Sequence, residues 1–321
     1  MLQYFIKRLF ALIPKLLLIT LIVFFALEAL PGNIITRSID PERLGSMSQA
    51  QIDALIEARG LNKPIYLRYF YWLADLARGE FGYSLGTGGS IAQILAMRLP
   101  ATIELAVLGL LISTVLGLLM GFISAIWRNS PIDYLNSVMG MIGISVPEFF
   151  FGMTFILVFA INLKILPPGG RFFTNDKSFW GHFQHMIMPA LCMGIQLIAT
   201  LMRYTRSSML DVMNKDYIKT ARAKGIPEYK VYLKHCFRNG CAPVMLLLVG
   251  RLSMLVSGTV VIETVFNYPG IGSLTLSAIN TKDTPVVMII VLMSSLAVLV
   301  TCFIADLFLA FLDPRVRFGE E

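Results

Sequence analysis

Residues 216–239, DYIKTARAKGIPEYKVYLKHCFRN, carry six Lys or Arg and two acids around a Gly225-Ile226-Pro227 break. Apolar runs flank this stretch on both sides. The first half, from Asp216 to Lys224, is built of good helix formers, with Ile218, Ala221 and Gly225 at i, i+3 and i+7 on one face. Lys215, Lys219 and Arg222 form a neighbouring basic face. Gly225 supplies the left-handed residue that ends a helix, and Pro227 prevents its continuation. The second half, EYKVYLKHCFRN, predicts a second helix returning to the next apolar run. Two short helices meeting at a sharp corner are therefore expected. Their small-residue face suits close approach by another protein, while their basic face equally suits anionic lipid.

The surroundings explain why such a stretch stands out. The chain has 321 residues, of which 56% are hydrophobic and 15% charged, against about 25% charged in a soluble domain. Several apolar runs reach the roughly 20 residues that a helix needs to cross a bilayer. Six spans are the economical count, at 9–30, 101–127, 134–163, 186–202, 244–265 and 286–312. The fold class is all-α, a polytopic membrane protein. The +7 net charge resides in loops, as membrane insertion demands, and points to no nucleic acid. Lys7 and Arg8, the loop WRNSPID, the 216–239 stretch and the tail DPRVRFGEE fall on one side of a six-span chain. Positive-inside bias makes that side cytoplasmic, with both termini in. The opening apolar run is too long for a signal-peptide core and reads as an uncleaved span.

The expected organisation is a first span at 1–30, an extracytoplasmic helical insertion at 31–98 and a five-span core at 99–312. The core contains the cytoplasmic loop 203–239, and a tail at 313–321 follows it. Ser48 gives a helix start and Gly60 a stop within the insertion. Thr87–Ser90, TGGS, reads as a turn. The third span is interrupted by GISVPEFFFG, where Pro147 removes a backbone donor and Ser145 is placed to cap a new start. A broken helix at membrane depth lines a cavity or is a packed kink, and the two are compatible.

Charged groups inside spans are costly, on the order of 3 kcal/mol each, and need water or a partner. Arg251 in the fifth span is expected to line a translocation route, with snorkelling or pairing to Glu104 as the structural alternatives. Glu104 lies in the first turn of its span, where the helix dipole favours a carboxylate. Gln196 is placed on the route from the fourth span, and Glu28 and Asp306 are ambiguous. His182 and His185 beside methionines invite a metal reading, but no metal or cofactor is expected on this chain. Cys192, Cys236, Cys241 and Cys302 form no CxxC pair, so neither a disulfide nor bound zinc is expected.

YIKTARAKGIPEYKVYLKHCFRNGCAPV resembles the cytoplasmic coupling loop of ABC importer permeases in the dipeptide/oligopeptide/nickel branch. LPGN, GEFGYS, SVPEFF, HMIMPA, IETVFNYPGIG and DPRVR also resemble that branch, in order along the whole chain. The wider importer pattern has Glu-Ala-Ala six residues ahead of the glycine; here Lys219-Thr220-Ala221 stand there, as in the peptide branch. The resemblance implies a type I importer permease fold and an ATP-driven importer for peptides. Nickel chelates and glutathione are the alternatives within the family. It further implies a second permease, two cytoplasmic ATPases carrying ATP and Mg, an extracytoplasmic substrate-binding protein and a surrounding lipid bilayer. On that footing Tyr217, Lys219, Thr220, Ala221, Arg222, Ala223, Lys224 and Gly225 contact the ATPase. Ser145, Pro147, Gln196, Glu104 and Arg251 line the route, and Tyr268, Pro269, Gly270 and Gly272 belong to an outer gate. The chain lacks GxxxxGK[ST], so no phosphate-binding loop of that kind is its own. A self-sufficient secondary transporter would show inverted repeats, and an intramembrane hydrolase a GxSG or paired GxGD; neither is found.

Overall fold

The computed structural model describes residues 2–29, 47–58, 62–172, 178–252 and 260–312. Among these, the regular structure is helical. Four helices are long and apolar enough to cross a membrane: α1 (Leu2–Glu28), α4 (Ile91–Ile126), α7 (Phe179–Met213) and α13 (Thr284–Leu312). A fifth crossing is broken. α5 (Pro131–Ser145) and α6 (Glu148–Phe155), the latter running on as a π-helix over Ile156–Asn162, meet at 104°. The interruption expected at Pro147 is therefore a true corner. Ser145 ends α5 and does not cap α6, whose first residue follows Pro147 directly. The sixth expected span is represented by α10 (Ala242–Gly250) and α11 (Val260–Val265), with 253–259 outside the described residues.

Several boundaries differ from expectation, α1 beginning at Leu2 and α7 at Phe179 rather than at 9 and 186 among them. α4 begins at Ile91 rather than near Ala101, because Pro100 is tolerated inside it. α7 does not end near Met202 but runs unbroken to Met213. The physical reason is that a helix need not stop where its apolar run does: Arg203 and Arg206 are good helix formers, and Arg206 is further held by Asp133 of α5.

α4 and α7 form the spine of the molecule. Gly109, Ser113, Gly117 and Gly121 lie at four-residue intervals on one face of α4, all buried. A Cβ at Gly117 would sit 3.1 Å from the Ile198 carbonyl oxygen, and one at Gly121 only 2.6 Å from that of Met202. Gly194 approaches from the other side, 3.3 Å from the Gly109 carbonyl oxygen by the same construction. Small residues let two backbones close up, and van der Waals packing then supplies the association that lipid cannot.

The 31–98 insertion contains α2 (Gln49–Ala58) and α3 (Ile65–Ala77). Ser48 starts the helix as expected, through a capping box: its Oγ accepts from Gln51 N at 3.3 Å, and Gln51 Oε1 accepts from Ser48 N at 2.9 Å. Gly60 lies outside the described residues. Arg68 of α3 pairs with Glu28 of α1, and Tyr69 bonds Thr20 at 3.0 Å, so α3 is clasped to the outer end of α1. Asp306 pairs with Arg8 at 2.7 Å, which makes both ambiguous acids, Glu28 and Asp306, structural. The 87–90 stretch is the expected turn, with Gly88 at φ +70 and a bridge between Tyr83 and Ser90. Buried Asp283, just ahead of α13, holds this turn by accepting from Leu85 N and Gly86 N.

Candidate functional site

The cytoplasmic corner forms as its residues dictate. α8 (Asp216–Ala223) ends at Gly225, which takes φ +73. Gly225 N donates to Arg222 O at 2.9 Å, and Ile226 N donates to Ala221 O at 3.3 Å. This pair of bonds satisfies the last carbonyls of the helix in the Schellman manner. Past the corner, Glu228–Lys230, Val231–Phe237 and Arg238–Gly240 continue as one helical stretch, α9, π-wound in its middle. Arg222 grips Glu228 across the corner with two bonds, 2.8 and 3.3 Å, and holds its carboxyl below the usual range.

The face of α8 presented outward differs from the expected one. Ile218 and Ala221 are buried against Val231 and Cys236 of α9, Met209 of α7 and Ala125 of α4. The i, i+3 stripe therefore faces the chain's own core, and Ala221 is covered within the chain rather than presented outward. Helical periodicity names an apolar face but not what covers it. Burial pushes the Cys236 thiol up, which leaves it a protonated packing group. The outward face consists of Tyr217, Lys219, Thr220, Arg222, Ala223, Lys224 and Gly225, all exposed. Tyr229 and Leu233 of α9 are exposed beside it, 60% and 57%, and no motif singled them out. Because α8 rests on the cytoplasmic ends of α4 and α7, force on this face passes directly into two spans.

Residues 113–318 match the family model described as binding-protein-dependent transport system inner membrane component. The chain belongs to this family. It is 37% identical to the oligopeptide transport system permease protein AppB of Bacillus subtilis (strain 168), over 99% of this chain and 100% of that one. It is 35% identical to the glutathione transport system permease protein GsiC of Escherichia coli (strain K12), over 99% and 100%. A peptide permease protein of Brucella suis biovar 1 (strain 1330) is 38% identical over 99% of both chains. The chain is thus a multi-pass permease subunit of a bacterial inner-membrane ABC importer, one component among other transport subunits.

In the outer half of the permease, the expected gate residues turn inward. Tyr268 is fully buried, and its hydroxyl donates to Glu104 Oε1 at 2.6 Å. Glu104 also takes two bonds from Arg171, at 2.7 and 3.0 Å, and faces His182 Nε2 at 3.2 Å. Its cation is therefore Arg171, not Arg251. With its oxygens saturated, Glu104 ties α4 to the start of α7 and to the 266–270 turn, and is a structural hub rather than an open route group. Gly270 and Gly272 are buried against the Glu263 carboxylate, while Pro269 is half-buried. Glu263 is itself 1% exposed and accepts from Thr102 Oγ1 and Ser273 N, both at 2.9 Å. It thereby caps the start of α12 (Ile271–Asn280). No spacing rule pointed to Glu263, though its place in IETVFNYPGIG was visible.

The remaining route candidates do face outward. Ser145, Pro147 and Gln196 are exposed, as is Arg251 at the end of α10. Gly143 packs on Ile195 and Ala199 of α7, which sets the α5–α6 corner level with Gln196. Arg251 stands apart from this set, beside residues that lie outside the described ones.

Proposed function

We propose that the chain forms half of the translocation path of an ATP-driven importer for peptides, with a second homologous permease forming the other half. The observation that carries this reading is the rigid, outward-facing α8 platform bolted to α4 and α7. A transmitted stroke needs a stiff contact element, and the packing of Ile218 and Ala221 supplies it. In this reading two cytoplasmic ATPases bind and hydrolyse ATP with Mg, and this subunit performs no catalysis. The contacts are Tyr217, Lys219, Thr220, Arg222, Ala223 and Lys224, with Gly225 setting the corner. ATP-driven closure biases a two-state arrangement of spans through α8. Ser145, Pro147 and Gln196 line the route, and Arg251 lines it from the fifth span. An external substrate-binding protein delivers cargo to the outer face, above the turn at Tyr268–Gly272.

The peptide cargo is supported by similarity to AppB and to the Brucella permease over nearly their whole lengths. Similarity to GsiC supports glutathione, itself a short peptide, as the second reading. The test is reconstitution of the complex in proteoliposomes with its binding protein. Uptake that requires ATP inside and the binding protein outside is expected. Uptake by this chain alone, indifferent to ATP, would overturn the proposal.

A further inference from the structure

Between α5 and α7 lies an open cavity of about 750 Å³ that includes Ser137, Thr200, Tyr204 and Ser207 with two arginines, Arg203 and Arg206. The arginines are not equivalent. Arg206 is held by Asp133 through two bonds, 2.7 and 2.8 Å, and its charge is cancelled. Arg203 is exposed, and among the described residues no carboxylate pairs with it. It adjoins Leu201 and Met202, which pack against Gly117 and Gly121 of α4. Those glycines stand roughly 8–14 Å, at 1.5 Å per residue, from the cytoplasmic end of α4 at Ile126. An unpaired guanidinium facing lipid tails would be costly. A water-filled groove with hydroxyls on both walls removes that cost and leaves one uncancelled positive charge inside it.

We propose that this groove is an oxyanion site on the translocation route, with Arg203 as its cation and the carboxylate of a passing peptide as its ligand. The inference rests on the importer reading and adds the group that recognises cargo. A guanidinium matches a carboxylate with two parallel bonds, and Ser137 and Ser207 offer hydroxyls to the same oxygens, while the Thr200 hydroxyl is spent on the Gln196 carbonyl at 2.8 Å. Gln196 and Thr200 precede Arg203 at helical spacing on one stripe of α7, so a polar track leads to the site from the α5–α6 corner. A lipid phosphate is the other oxyanion of the setting, and the experiment separates the two.

The experiment places a fluorophore in the groove of the full importer complex, in nanodiscs without nucleotide. The label sits on Met141→Cys, an exposed apolar position on the groove wall, in a chain whose accessible Cys241 and Cys302 are replaced by serine, while Cys192 and Cys236 are buried. Iodide, a small anion, and neutral acrylamide are compared as quenchers. Both are expected to quench, and Arg203→Gln should lower the iodide constant about threefold while acrylamide is unchanged, because a lone charge concentrates counter-ions in a cleft. Arg203→Lys should retain most of the iodide effect. Trialanine should protect the label from iodide, and trialanine amide should not. Three results would overturn the proposal: iodide quenching indifferent to Arg203, no quenching by either probe, or iodide access gained only in discs lacking anionic lipid, which would make a headgroup the occupant. ATP-driven uptake by the unsubstituted complex tests the importer reading separately. An active importer with an anion-indifferent groove sinks the site alone.

Discussion

Asp133 of α5 and Arg206 of α7 meet in a two-pronged ion pair, Nε to Oδ1 at 2.7 Å and Nη2 to Oδ2 at 2.8 Å. The carboxylate is buried, and it also accepts from Asn129 N at 2.9 Å, so it joins the 127–130 turn to both helices. Removing one member leaves the other charge without its counterpart, at a cost of about 3–5 kcal/mol when both are fully buried. Arg206 is 30% exposed, so the cost here is reduced to about 1–3 kcal/mol. Asp133→Asn should therefore lower the thermal midpoint of the detergent-solubilised permease by several degrees. The double variant with Arg206→Gln should recover part of the loss. A double-variant loss equal to the sum of the Asp133→Asn and Arg206→Gln losses would show that the pair contributes no coupling.

The α4–α7 spine makes a sharper prediction. A side chain at Gly117 meets the Ile198 carbonyl oxygen and Leu201, and neither helix can retreat without losing contact along its length. Gly117→Leu should reduce folded, monodisperse protein several-fold in size-exclusion profiles, because overpacking costs about 1–3 kcal/mol or more. Val107→Leu, on an exposed face of the same helix, should leave the profile unchanged. A normal profile for Gly117→Leu would remove the spine from the account of the fold.

The cytoplasmic corner separates geometry from contact. No atom lies within 4 Å of a Cβ at Gly225, so Gly225→Ala is opposed only by its φ of +73, worth about 1–2 kcal/mol. That strain should loosen α8 and lower coupled ATPase activity while leaving assembly intact. Cysteine at Ala223 or Lys224 should crosslink to an ATPase subunit, whereas cysteine at Ala221 should not, since Ala221 faces Val231. Capture at Ala221 alone would reverse the assignment of the outward face.

The Arg222–Glu228 bond has a defined pH sign. The Glu228 carboxyl is held low by Arg222, so its contribution is present above the unfolded value and is lost as pH falls through the lowered one. Both side chains are largely exposed, which limits the contribution to under about 1 kcal/mol. Glu228→Gln should therefore speed amide exchange at Lys224–Ile226 at pH 7. It should make little difference once acid has protonated the carboxyl.

How much of this was legible depended on whether the cause was local. The Gly225 termination, the Ser48 helix start and the break at Pro147 follow from residues within a turn of one another, and each was readable. The length of α7 was not, because the end of an apolar run does not mark the end of a helix, and the Asp133 that anchors Arg206 lies far away in the sequence. The same holds for Glu104, whose partner is Arg171 of a loop and not Arg251 of a span. Ala221 shows a different limit: the small stripe was found correctly, but its occupant is α9 of the same chain. The four-residue spacing of Gly109, Ser113, Gly117 and Gly121 was visible and names a helix interface, though nothing in it specifies α7 as the partner.

Glu263 carries the last prediction. Its carboxylate accepts from Ser273 N and Thr102 Oγ1, while Thr102 Oγ1 in turn accepts from Ile271 N at 2.7 Å. One acid and one hydroxyl thus satisfy the first amides of α12 and bind that helix to α4. Glu263→Ala strands two buried donors, and each unsatisfied group costs about 1–3 kcal/mol. Glu263→Gln keeps one acceptor oxygen and the side-chain volume, so it should fall between the parent and alanine. Gly270→Ala acts from the other side, because its Cβ would run into the Glu263 carboxylate and force the turn open. Glu263→Ala and Gly270→Ala should therefore raise protease cleavage at 266–272 in membrane vesicles, with Glu263→Gln intermediate. Peptide uptake should fall in the same order. If Glu263→Ala left both cleavage and uptake at parental levels, α12 would be held by its apolar packing alone, and the buried acid would have no part in keeping the outer turn closed.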